Sequence, residues 1–156
     1  MNPKYEFSIK ELKAHAKKGK IDGWVFAFLH GPGINKGMAK GLKLRKEEEY
    51  HSWVGPINFP LKDLVRCCGP EKDIEYPETL KKFNLRVNKM IKEINKGWET
   101  PVLIVNPRPW PILSIRDGNH RYEALLRSGK KKYPTIFWFD NPKDRQKFVR
   151  KYKDII

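Results

Sequence analysis

Between residues 102 and 139, short apolar runs alternate with turns in an order that leaves few folds open. Val102-Leu103-Ile104-Val105 is rich in β-branched side chains, the pattern of a buried strand. Three prolines between Asn106 and Pro111 turn the chain, and Ile112 to Arg116 reads as a second strand. That strand runs into Asp117-Gly118-Asn119-His120-Arg121, after which Tyr122, Ala124, Leu125 and Leu126 recur at helical spacing as far as Ser128-Gly129. Thr135 to Phe139 is a third strand, and Asp140-Asn141-Pro142 opens a basic terminal helix from Lys143 to Tyr152. Upstream, Leu80, Phe83, Val87, Met90, Ile91 and Ile94 mark the apolar stripe of an amphipathic helix that starts at Glu78 and stops at Gly97. Strands interleaved with helices predict an α/β (or α+β) fold, a small mixed sheet flanked by helices over residues 51–156.

The first fifty residues read as an N-terminal helical extension. Ser8 can cap a helix over residues 7–18, Glu11 sits three positions later as in a capping box, and Ile9, Leu12 and Ala16 share a face. Residues 22–29 are an apolar run that could be a short helix or a buried strand, with Trp24, Phe26 and Phe28 expected in the core. Gly31 to Gly41 holds four glycines but has neither a Walker ending nor Gly-x-Gly-x-x-Gly spacing, so it reads as a mobile connection. Glu47, Glu48 and Glu49 suggest a solvated helix end. Trp53 to Leu61 is extended, and its prolines confine it to an edge or a bend. A short helical turn over 61–65 and an acidic surface loop over 70–77 follow.

The chain has 156 residues and a net charge of +15, distributed unevenly. Residues 1–46 carry 11 basic and 3 acidic side chains and residues 79–156 carry 19 and 7, while residues 47–78 carry 3 and 8. Two basic segments around an acidic middle favour a polyanionic partner such as a nucleotide or DNA, although 24 of the 33 bases are lysines that also serve as ordinary solubilising surface. No apolar run approaches the roughly 20 residues of a membrane span. The charged opening Met-Asn-Pro-Lys-Tyr-Glu has no apolar stretch of a secretory signal, so the cytoplasm is expected. Cys67 and Cys68 are adjacent and have neither a zinc-type spacing nor a third cysteine to pair with; they read as small packed residues.

The chemistry concentrates at the turn after the second strand. A helix start leaves backbone N–H groups unpaired and carries partial positive charge, so an anion can bind there. Gly118 permits close approach, Arg121 could clamp an anion, and His120 could donate or carry a proton near neutral pH. Asp117 could be an acceptor, a metal ligand or a base.

This stretch, with its flanking strands and the helix before it, resembles the ParB/sulfiredoxin superfamily over roughly residues 53 to 140. The signature is a strand followed by Gly-x-His/Arg-Arg-x-x-Ala at a helix start, here Gly118-Asn119-His120-Arg121-Tyr122-Glu123-Ala124, with Gly129 beyond. The resemblance implies ATP, ADP or CTP phosphates on Gly118, Asn119, His120 and Arg121, with Mg²⁺ at Asp117. Sulfiredoxins carry a reactive cysteine directly before the motif histidine, where this chain has Asn119. Partitioning proteins carry Arg-Arg, where this chain has His120-Arg121, and follow the domain with further DNA-binding segments. The Asp-Gly-x-His-Arg form is most similar to the free-serine-kinase branch, whose catalytic acid precedes the long helix. Glu71, Asp73, Glu75 and Glu78 are candidates, with Glu71 taken as the catalytic one beside Asp117 and His120. The expected function is Mg²⁺-dependent phosphoryl transfer or nucleotide hydrolysis. The alternatives are a DNA-binding or DNA-modifying accessory protein and a non-catalytic nucleotide sensor.

Overall fold

The computed structural model describes residues 6–31, 38 and 52–156. Most of the glycine-rich stretch and all of Glu47 to Glu49 lie outside the described residues. Helices α1 (Ile9–Lys17) and α2 (Ile21–His30) come first, so the apolar run at 22–29 is helical. Strand β1 (Ser52–Pro60) and a 3₁₀ turn (Leu61–Asp63) lead to the short strands β2 (Val65–Arg66), β3 (Cys68–Gly69) and β4 (Tyr76–Pro77). Helix α3 (Leu80–Asn95), strands β5 (Leu103–Pro107) and β6 (Leu113–Asp117), helix α4 (Asn119–Arg127), strand β7 (Lys132–Phe139) and helix α5 (Pro142–Lys151) complete the order. The fold is mixed α+β.

Five strands form one sheet in the order β1-β7-β5-β6-β2, with β1/β7 and β5/β6 antiparallel and β5/β7 and β2/β6 parallel. The proline-containing strand β1 occupies an edge, where a missing N–H costs no ladder bond. It bulges between Val54 and Ile57 at Gly55, whose φ of +117° and 2.8 Å approach of an added Cβ to the Thr135 carbonyl leave room only for glycine.

Both faces of the sheet are covered. One face carries Val105, Ile115, Phe137 and Phe139, packed by Tyr122 and Leu125 of α4 and Phe148 of α5. The other carries Val102, Ile104, Ile136 and Trp138, packed by Ile9 and Leu12 of α1 and Trp24, Val25, Phe28 and Leu29 of α2. The N-terminal helices therefore share a core with the sheet. Trp24 and Phe28 are buried as expected, while Phe26 is exposed. Helix α3 lies on α4 through Phe83, Val87 and Ala124. Among the described residues, no helix is long and apolar enough to cross a membrane.

Candidate functional site

Strand β6 ends at Asp117, and Gly118 turns the chain into α4 with φ +101° and ψ 23°. A Cβ at Gly118 would lie 2.7 Å from Leu103 Cδ2 and 3.0 Å from Arg121 Nη2, so sterics and backbone both demand glycine. The turn thus forms as its sequence suggests, with α4 beginning at Asn119.

The side chains of this first turn face in different directions. Arg121 points into the core, donating from Nη1 to the Val102 carbonyl (2.9 Å) and from Nη2 to Asp117 Oδ2 (2.6 Å), with its guanidinium 5.6 Å from the Phe28 ring centre. Both members of the pair are buried. Arg121, expected as a phosphate clamp, and Asp117, expected as a metal ligand, are thus paired with each other here. A buried carboxylate needs a cationic partner, and each satisfies the other. Asn119 is buried too. Its Oδ1 accepts from the backbone N–H of Cys67 (2.8 Å) and Cys68 (3.3 Å), and its Nδ2 donates to the Ile115 carbonyl (3.3 Å). Its side chain therefore fastens the cysteine segment to the turn and leaves only backbone N–H groups here for an anion.

His120 faces a second group of residues. Its Nε2–H donates to Glu78 Oε1 at 2.8 Å, and its ring packs 5.4 Å from the ring of Phe83. Glu78 Oε2 lies 3.6 Å from Nη1 of the exposed Arg86. Glu71, expected as the acid, instead forms a two-point ion pair with Arg66, so Glu78 is the acid that meets His120. Arg66 also bonds the Cys68 carbonyl (2.8 Å), pairs with Glu123 (3.2 Å) and lies 4.7 Å from the ring centre of Phe83.

Backbone pairing fixes where Glu78 sits. Strands β3 and β4 run parallel, with Tyr76 N–H donating to the Cys67 carbonyl and Glu78 N–H to the Gly69 carbonyl, both at 2.9 Å. This pairing brings Cys68 to the site as well. One ligand atom each of Cys68, Glu78 and His120 lie within 4.8 Å of one another. Cys67 is buried with its Sγ donating to the Ile115 carbonyl (2.9 Å), while Cys68 is part-buried in β3 with its sulfur near Glu78 and His120. No local motif announces Cys68, because its neighbours come from residues ten and fifty-two positions away.

Burial is the main electrostatic influence. It pushes the Cys68 thiol above its ordinary range, helped by Glu78 and Cys67. It also holds His120 below the usual histidine value, with the Glu78 hydrogen bond opposing and Arg86 adding to the effect. At neutral pH the site therefore holds a protonated thiol and a neutral imidazole, so Cys68 is no ready-made thiolate nucleophile. A cleft of about 590 Å³ lined by Lys10, Trp98, Lys130 and Tyr133 lies at the other end of α4 and includes none of these groups. The chain matches no family model, no curated protein and no solved structure.

Proposed function

We propose that the chain binds a nucleotide and performs phosphoryl transfer or nucleotide hydrolysis, with the phosphates on the backbone N–H groups at the start of α4. The hydrogen bond between His120 and Glu78, 2.8 Å long and beside that helix start, carries this reading. The resemblance to ParB/sulfiredoxin nucleotide sites lends it support. A carboxylate on Nε2–H orients the imidazole and leaves the lone pair on the other ring nitrogen. That nitrogen takes the proton of the attacking hydroxyl or water, and Glu78 stabilises the imidazolium that results. The unpaired N–H groups and the positive end of α4 stabilise charge developing on the phosphate.

Among the described residues, those beside the turn do not fit a magnesium ion. Asp117 is committed to Arg121, and the donors beside the turn are one carboxylate, an imidazole and a thiol, where magnesium prefers oxygen. The test is a thermal-shift screen of ATP, ADP, CTP and GTP as their magnesium complexes, since a ligand of the folded state raises the melting temperature. With an active nucleotide in hand, His120→Asn and Glu78→Gln should retain the shift, and His120→Asn should cut turnover by about 10² to 10⁴. Absence of any nucleotide shift, or wild-type turnover in His120→Asn, would refute the reading.

A second reading has its own observation. Helix α5 buries only Phe148 and exposes Lys143, Lys147, Arg150 and Lys151, a basic surface suited to DNA phosphates. If DNA binds there, affinity should fall steeply with salt, and changing two of these lysines to Gln should flatten the slope by about 2. A slope unchanged by these substitutions would leave α5 out of any DNA contact.

A further inference from the structure

We propose that Cys68, Glu78 and His120 form a binding site for a thiophilic divalent cation of the zinc class. The three side chains come from separate elements: β3, the residue before the cap of α3, and the first turn of α4. Their donor atoms nonetheless lie within 4.8 Å of one another. Around a tetrahedral ion with bonds of about 2.0 to 2.3 Å, donor atoms stand roughly 3.3 to 3.8 Å apart. The 2.8 Å contact between His120 and Glu78 therefore opens by about half an ångström and the thiol closes in, movements within reach of side-chain rotation.

The frame behind the donors is already fixed. Asn119 Oδ1 holds the N–H groups of Cys67 and Cys68, and the Gly69 carbonyl holds the N–H of Glu78 at 2.9 Å. A sulfur, a nitrogen and an oxygen suit zinc and its neighbours and discriminate against magnesium and calcium. Cys68 and Glu78 are only part-buried, which gives the ion a path in and leaves a fourth position to water. Charge also balances. As the cation binds, the thiol proton leaves to solvent, and thiolate plus carboxylate neutralise the two positive charges. Of the flanking charges, Arg66 is neutralised by Glu71 and Glu123, and the exposed Arg86 is free to turn to water when Glu78 binds the cation.

The site stands whether or not a nucleotide binds at the turn, but a cation on His120 and Glu78 would withhold both from proton transfer. The test uses the reduced full chain and Co²⁺ as probe. The wild type should take up one ion with a thiolate-to-cobalt charge-transfer band that Zn²⁺ displaces and excess Mg²⁺ does not. Cys68→Ser should abolish the band, and His120→Asn and Glu78→Gln should weaken Zn²⁺ binding at least roughly tenfold, the smallest loss usual even for groups that only support a ligand. Glu93→Gln, at the far end of α3 and outside these contacts, should bind like the wild type. No charge-transfer band in the wild type, or unchanged Zn²⁺ affinity in Cys68→Ser or His120→Asn, overturns the proposal. Should a variant fail to fold by circular dichroism, alkylation of the wild type decides. Zn²⁺ should protect Cys68 from iodoacetamide, and unprotected labelling at saturating Zn²⁺ counts against the site.

Discussion

Arg121 illustrates how a residue's neighbours decide its work. Its sequence setting, three residues beyond a glycine at a helix start, suits a phosphate clamp, and Asp117 four residues earlier suits a metal. Burial joins them instead. Their side chains are 9% and 8% exposed and 2.6 Å apart, and the second guanidinium nitrogen is spent on the Val102 carbonyl. Burial also holds the Arg121 pKa below its ordinary value, with Asp117 opposing, as expected of a charge taken out of water for a structural pairing. Removing one partner of such a pair strands the other charge and typically costs about 3 to 5 kcal/mol. Arg121→Ala should therefore lower the urea-unfolding free energy by about that amount, and Arg121→Lys by less, since it keeps the charge but loses the fork. If Arg121→Ala left stability intact and abolished nucleotide-induced thermal shifts, the guanidinium would be a ligand contact after all.

At the level of elements, local pattern and long-range pairing part company. The helices were legible because caps and stripes are local: Ser8 Oγ accepts from Glu11 N–H at 3.1 Å and Thr79 Oγ1 from Lys82 N–H at 3.2 Å, bounding α1 and α3 within two residues of where their periodicity predicts. The strand–glycine–helix turn was legible for the same reason. Strands β3 and β4, two residues each, carry no periodicity, and they are what deliver Glu78 and Cys68 to His120. Composition alone therefore points to Glu71 as readily as to Glu78, the acid that meets His120. The Gly118 turn itself yields a direct prediction. Gly118→Ala forces an alanine into left-handed backbone and its Cβ into Leu103, at a cost of about 1 to 3 kcal/mol for the backbone alone. Denaturant unfolding should record at least that loss. A Gly118→Ala protein as stable as the wild type would mean that the turn relaxes and that its geometry is not fixed by glycine.

For the molecule as a whole, the question is whether the first two helices are an appendage or part of the fold. As a sequence they look like an appendage: they lie outside the resembling region, are set off by a glycine-rich stretch, and the first carries its own Ser8 cap. The packing says otherwise. Val102, Ile104, Ile136 and Trp138 are each 2% exposed or less, and their covering comes from α1 and α2. Uncovering four such side chains forfeits about 1.5 to 3 kcal/mol apiece, roughly 6 to 12 kcal/mol together. That is comparable to the 5 to 15 kcal/mol that holds a whole domain folded. The buried face of Arg121 would open as well, since Phe28 of α2 lies over its guanidinium. A chain lacking residues 1–31 should therefore lose its cooperative thermal transition and bind a hydrophobic dye such as ANS, even though every residue of the candidate site remains. A sharp, dye-free unfolding transition in the truncated chain would make α1 and α2 a dispensable cover.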